Sequence, residues 1–242
     1  MRGTLGPKGE RNLSELCAEL LCAAEAERSE RDGVTTERVR LAGAAARKVR
    51  RAEGSYLTLR APDFAANRRT AEAVLRLLKE ELLALLPGEG AILVAGLGNR
   101  AAAADALGPR TVERVRPVPR ARLCETGVPG RSGIESFDFV AALCDRLRPA
   151  GVIAVDSLTA RDEGRLCTSF QVSDAGITPG SAGGTGGELS ARTLGVPVVS
   201  LGLSTVLALF DPPRLFAPAE VATYVDAAAG VLAGAISAAL LS

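Results

Sequence analysis

A chain of 242 residues, 47% hydrophobic and 24% charged, suits one good-sized globular domain or two small ones. Its formal net charge of +1 gives no electrostatic footprint for direct nucleic-acid binding. The sequence has no histidine, which removes Ser-His-Asp and Cys-His catalysis and the common histidine zinc sites. Any hydrolytic chemistry must then run on carboxylates, lysine, hydroxyls or carboxylate-bound metal. The cysteines (Cys17, Cys22, Cys124, Cys144 and Cys167) are odd in number and scattered without a C-x-x-C pair. That points to reduced thiols in a cytosol-like compartment and away from a zinc site. No apolar run reaches the roughly 18 residues of a membrane span, and the first residues lack a secretory hydrophobic stretch, so neither a membrane nor secretion is expected.

In chain order, residues 1–36 are polar and charge-mixed, with a helical patch at Leu13, Leu16, Leu20 and Leu21, and are expected to form a loosely held arm. Residues 37–51 carry Arg47, Lys48, Arg50 and Arg51 as a solvated basic face. Ser55–Leu59 alternates as a strand that Pro62 ends. From Thr70 to Leu86, the residues Val74, Leu77, Leu78, Leu82 and Leu85 recur at helical spacing, and Pro87-Gly88 stops the helix. Ile92–Ala95 is a buried-type strand broken by the turn Gly96-Leu97-Gly98-Asn99. A helix containing Gly108, Pro109, Val112 and Val115 follows. Next come a strand around Val118–Leu123, the loop Gly127–Gly133 and a helix over Ile134–Leu147. Gly151–Val155 is a second buried-type strand, ending in Asp156, and Thr168–Val172 is a strand ended by Ser173-Asp174. A glycine-rich loop spans Gly176–Gly187, and Pro197–Leu201 is a further apolar strand. Pro218 opens an Ala-rich closing helix whose Ala227–Leu241 run reads as buried. Strands alternating with helices imply an α/β fold with a mainly parallel sheet covered on both faces.

The glycine patterns do not make a nucleotide site. After the first buried strand, Ala101 stands where a dinucleotide fingerprint has its third glycine, and no acidic residue closes a second strand about twenty residues on. The 176–187 loop lacks the Gly-Lys-Ser/Thr of a P-loop. Asp105 and Asp156 remain. Both follow buried-type strands, and in a parallel sheet the C-terminal strand ends lie along one edge, where the two carboxylates can converge. Two close carboxylates do not both ionise easily, so one keeps a proton near neutral pH. The pair thereby supplies a base to activate water and an acid to protonate a leaving amine without histidine. On spacing alone, coincidence, a helix N-cap at Asp105 or a metal pair are the alternatives.

Five ordered motifs, GLGN…DALGP, GVPGRSGIES, IAVDSLTAR, QVSDAGITPGS and LGVPV, together resemble the spore germination protease family of endospore-forming bacteria. The resemblance runs from Ile92 to Leu209 and is weaker over Gly33–Leu59 and Leu215–Leu241. It implies an endopeptidase of atypical aspartic type that degrades small acid-soluble spore proteins. The implied fold is a three-layer α/β sandwich with a mostly parallel sheet, similar to hydrogenase maturation proteases. The family's two essential aspartates fall on Asp105 and Asp156. Asp174, Glu135 and Asp138 sit on motif positions. The family cleaves after acidic residues, and Arg161 is the guanidinium that would hold such a side chain.

The resemblance also implies a zymogen that removes its own N-terminal segment. Ser14-Glu15-Leu16-Cys17-Ala18-Glu19 is similar to the family's site, which places cleavage between Glu15 and Leu16, with residues 1–15 as propeptide and 16–242 as one protease domain. Cys17 stands in place of the usual alanine, and Asn12 in place of an acidic residue. The segments after the Asp105 helix and between Leu209 and Leu215 are shorter than in the family, and Ala103-Ala104 replaces a threonine-proline. A homotetramer, a location in the spore core cytoplasm and no cofactor or metal complete the expectation. The alternative is a non-catalytic sporulation-associated relative that keeps the fold and binds a partner.

Overall fold

A computed structural model describes residues 26–49, 51–179, 187–210 and 213–242. The chain opens on a hairpin of β1 (Glu27–Arg31) and β2 (Val34–Leu41), followed by α1 (Gly43–Val49), β3 (Gly54–Arg60) and α2 (Arg68–Leu85). β4 (Ile92–Leu97) leads through a 3-10 turn at Ala103–Asp105 into α3 (Leu107–Arg114). Then come β5 (Ala121–Gly127), α4 (Pro129–Ser132), α5 (Ser136–Leu147), β6 (Gly151–Ala160) and β7 (Ser169–Ser173). α6 (Ala191–Leu194), β8 (Val198–Phe210), β9 (Pro213–Phe216) and α7 (Val221–Leu241) close the chain.

Among the described residues the strands form one sheet in the order β1-β2-β3-β7-β8-β6-β4-β5, with β9 paired to β8. β8, β6, β4 and β5 run parallel, and the inner three are the apolar strands whose buried runs require helices on both faces. β1, β2, β3 and β7 extend the sheet by antiparallel ladders. On one face α2, α3 and α7 cover the larger core, with Leu78, Leu82, Ile92, Val94, Ile153, Leu201 and Leu232 wholly buried. Each such side chain contributes about 1.5–3 kcal/mol over leaving it in water. On the other face Val140 and Cys144 of α5 pack on Leu93, Ala95, Val152 and Ala154. α7 has the length and apolar composition of a membrane span, but Val225, Ala228, Leu232 and Ile236 are buried within the larger core.

Several elements differ from the sequence expectations. The supposed arm and basic face contain the β1–β2 hairpin instead. Its turn, Asp32-Gly33, has both φ angles positive (53° and 77°), the geometry that Asp-Gly favours between strands. Arg38 of β2, half-buried, forms a two-pronged ion pair with buried Glu81 of α2, whereas Arg47 and Lys48 are solvent-facing on α1. β5 lies three residues later than expected because it is an edge strand, largely polar and half-exposed, with no apolar run to mark it. β6 runs beyond its apolar stretch to Ala160 by pairing with β8, and β8 runs on to Phe210 by pairing with β6 and then with β9. Residues 1–25, with the expected Glu15-Leu16 processing site, lie outside the described residues, as do residues 180–186 of the glycine-rich loop.

α3 lies directly on the strand backbones beneath it. A β-carbon at Gly108 would come within 2.5 Å of Leu97 backbone atoms and of the Val155 carbonyl oxygen, and one at Gly96 would be 2.5 Å from the Gly108 carbonyl oxygen. Helix and strand therefore meet glycine to glycine. Gly108→Ala is expected to force α3 off the sheet and cost about 1–3 kcal/mol. Gly230→Ala, on the exposed side of α7 with open space around it, is expected to add roughly 0.5–1 kcal/mol through helix propensity. Urea unfolding of the two variants gives both signs.

Candidate active site

The chain order of the parallel half fixes where a site can form. From β4 the chain passes to β5 on one side and then crosses to β6 on the other. The C-terminal end of β4 is therefore a topological switch point, the crevice where open α/β sheets bind ligands. A cleft of about 1040 Å3 opens there, with Gly98, Asp105, Gly127, Asp156, Ser157 and Thr159 in its walls.

Asp105 ends the 3-10 turn between β4 and α3, and three local devices hold it. The Asn99 N–H donates both to the Asp105 carbonyl, at 2.9 Å, and to its Oδ2, at 2.8 Å. Gly98 has φ +103°, and a β-carbon there would stand 2.8 Å from Asp105 Oδ1, so no other residue passes so close. The Thr205 hydroxyl of β8 donates to the Ala104 carbonyl at 2.6 Å and anchors the turn from below. Thr205 is free to do so because the β6–β8 register skips it: Leu158 pairs with Ser204 and Thr159 with Val206, leaving Thr205 as the extra residue of a bulge.

Asp156 is inside β6 and not at its end, a correction to the sequence expectation. β4 stops pairing with β6 at Gly96–Val155, so Asp156 is the first β6 residue without a β4 neighbour. By strand alternation it leaves the sheet on the face of Val152 and Ala154, towards α5. Asp105 arrives from the opposite face with α3. Because β4 has ended between them, both carboxylates reach the cleft, and the charge of Asp105 is felt at Asp156.

Their burial differs: Asp156 is buried and Asp105 half-buried. Asp156 is 9% exposed, and its Oδ1 accepts the Ser157 N–H at 2.8 Å. Burial, and secondly the charge of Asp105, push its pKa up to about 7, against the pull of that N–H. Burial also raises Asp105, partly countered by the Asn99 N–H. One proton held between two such groups near neutral pH provides an acid and a base side by side. The described cysteines are free, and burial raises the pKa of each, Cys124 to about 12 and Cys167 to about 11, so none is a ready nucleophile. Among the described residues no three Cys, Asp or Glu side chains converge as a metal-ligand set.

The other candidates divide. Glu135, half-buried before α5, and Asp174, exposed after β7, both line the cleft. The Asp174 carboxylate accepts the Ser55 N–H at 2.6 Å and ties β7 to β3. Arg161 follows the end of β6, beyond the cleft-lining segment Asp156–Thr159, and Asp138 is exposed on α5 outside the cleft. The guanidinium groups that line the cleft are those of Arg51, 5.3 Å over the Tyr56 ring, and Arg192, bonded to Glu188 at 2.6 Å. Sequence reasoning did not single out either. Arg51 was hidden in the basic run, and Thr205 carries no motif at all.

An aspartate pair at the switch point of the sheet's parallel half, Asp156 buried and Asp105 half-buried, defines the class, an α/β protein with a paired-carboxylate cleft. The family model described as germination protease matches residues 10–120 and 116–211, and the chain belongs to that family. Named germination proteases resemble it: one from Geobacillus is 34% identical over 201 residues, 73% of this chain and 53% of the relative. One from Bacillus subtilis is 37% identical over 180 residues, 64% of this chain and 48% of the relative. The chain thus spans about half the length of the curated relatives it matches. Among solved structures, a NiFe hydrogenase maturation protease from Thermococcus kodakarensis is 23% identical with a TM-score of 0.43, covering 67% of this chain and 99% of that one.

A raised carboxylate pKa has a defined cost. Folded Asp156 binds a proton that the unfolded chain releases near pH 4, so its contribution to stability is complete below that pH and lost as pH rises towards about 7. Asp156→Asn, which keeps the shape without the charge, is expected to raise stability at pH 7 to 8 by about 2–4 kcal/mol. It should make little difference at pH 4. Thermal unfolding of both proteins across that range measures the convergence.

Proposed function

We propose that this chain is an endopeptidase in which Asp105 and Asp156 activate water and protonate the leaving amine. One observation carries the reading: two carboxylates, Asp156 buried and Asp105 half-buried, line one cleft at the switch point of a chain from the germination protease family. Asp156, the more deeply buried, holds the proton and acts as acid, while Asp105, steadied by Asn99, is the base. The substrates are small acid-soluble spore proteins, cut after acidic residues in the spore core during germination. The family names of the relatives support a proteolytic role, and the motif resemblance supplies the substrate class. Self-processing between Glu15 and Leu16 and a homo-oligomeric state belong to the same proposal.

Purified protein incubated with a small acid-soluble spore protein is expected to yield fragments ending in Glu or Asp by mass spectrometry. The same spectra should show the enzyme itself without residues 1–15. Asp105→Asn and Asp156→Asn should each lower turnover by roughly 100- to 10000-fold, and chelators should leave it unchanged. Normal turnover by either variant would remove that aspartate from the mechanism. The rate should fall as pH rises above about 7, where Asp156 loses its proton, and fall again in acid as Asp105 gains one.

A further inference from the structure

The end of β4 leaves more than room for two carboxylates. β4 last pairs with β6 at Gly96–Val155 and with β5 at Leu97–Gly127. β6 runs on from Asp156 to Ala160, held there by β8 on one side. Among the described residues no strand takes the other side of that stretch, and Ser157, Leu158 and Thr159 line the cleft. Gly127 and Val128 line it opposite. Since neighbouring strands stand about 4.8 Å apart, the end of β4 leaves the β6 edge with a place beside it, a slot for one more strand.

Alternation decides which backbone groups face this slot. The Val152 N–H bonds to the Pro197 carbonyl on the β8 side, so Ala154, Asp156 and Leu158 also address β8. Ser157 and Thr159 address the slot. The Ser157 N–H is taken by Asp156. That leaves the Thr159 N–H and the Ser157 and Thr159 carbonyls as a short template edge.

We infer that a polypeptide in extended conformation binds in this slot as an added strand, continuing the line of β4 and pairing with Ser157–Thr159 of β6. The strand edge selects this occupant, because only an extended chain presents backbone groups to pair with it, whereas a helix has already bonded its own. The ligand class is therefore unfolded or locally unfolded chain, held through its backbone and largely indifferent to side chains at alternate positions. Asp156 stands at one face of the slot and Asp105 at the other, so an amide lying in it has a carboxylate on either side. That the bound chain is then cut rests on the peptidase reading; the binding mode does not.

The test uses the full-length Asp105→Asn protein and a fluorescein-labelled 12-residue peptide with a central Glu-Leu-Ala, together with a series in which one backbone amide at a time is replaced by an ester. Fluorescence anisotropy should show affinity falling about tenfold for esters at every second position across the centre, with little change between them. Thr159→Pro, which removes the slot-facing donor, should weaken the parent peptide, and Thr159→Ala should not. A flat ester profile, equal loss at every position, or no binding of the parent peptide overturns the inference. Cleavage by the wild-type protein is scored separately. An alternating profile without cleavage keeps the slot and removes the peptidase reading, whereas cleavage with a flat profile does the reverse.

Discussion

The structure depends on one close approach, the passage of α3 over β4 at Gly108 and Gly96. With a side chain at either position the helix would stand farther from the sheet, and the turn before it would carry Asp105 away from Asp156. Contact without side chains is an expensive use of a core position, because glycine buries little apolar surface and loses most entropy on folding. The surroundings offset it: Leu107, Val112 and Val115 of the helix region are buried in the larger core, and Arg110 and Arg114 bond Asp226 of α7 at the surface.

The carboxylate pair is the second costly feature, and the fold concentrates both costs at one place. Neither aspartate has a cationic partner in the hydrogen bonds that hold it; each is met by one backbone N–H. That arrangement leaves the charge only partly compensated, which is how burial and mutual repulsion can hold a proton at neutral pH. A structural ion pair is built differently, as Arg38 and Glu81 illustrate: there a buried carboxylate is matched by two guanidinium N–H groups and ties β2 to α2.

The sequence made this division partly visible. Ile92–Ala95 and Gly151–Val155 announced themselves as central parallel strands because strands buried on both faces have no polar alternation, and the two aspartates beyond them stood out for the same reason. The outer half of the sheet was harder to read. β1 and β5 expose much of their surface and β2 carries charged residues between its buried ones, so all three resemble loop, and Asp32-Gly33 is the turn signal of the hairpin. Asp156 was expected at a strand end because its apolar run stops at Val155, yet β6 continues through pairing with β8, a long-range event that no local pattern records. Arg161 drew notice through its motif, while the guanidinium groups of the cleft, Arg51 and Arg192, come from segments far apart in sequence.

The bulge in β8 carries a consequence of its own. Thr205 reaches Ala104 because one residue is surplus to the ladder, so the position of the Asp105 turn is encoded by arithmetic as much as by chemistry. Along β8 many side chains could be exchanged and the spacing kept. Removing or adding a single residue between Gly202 and Leu207 would turn every later side chain to the opposite face and unhook the turn. In this stretch the number of residues fixes the site more firmly than their identity does.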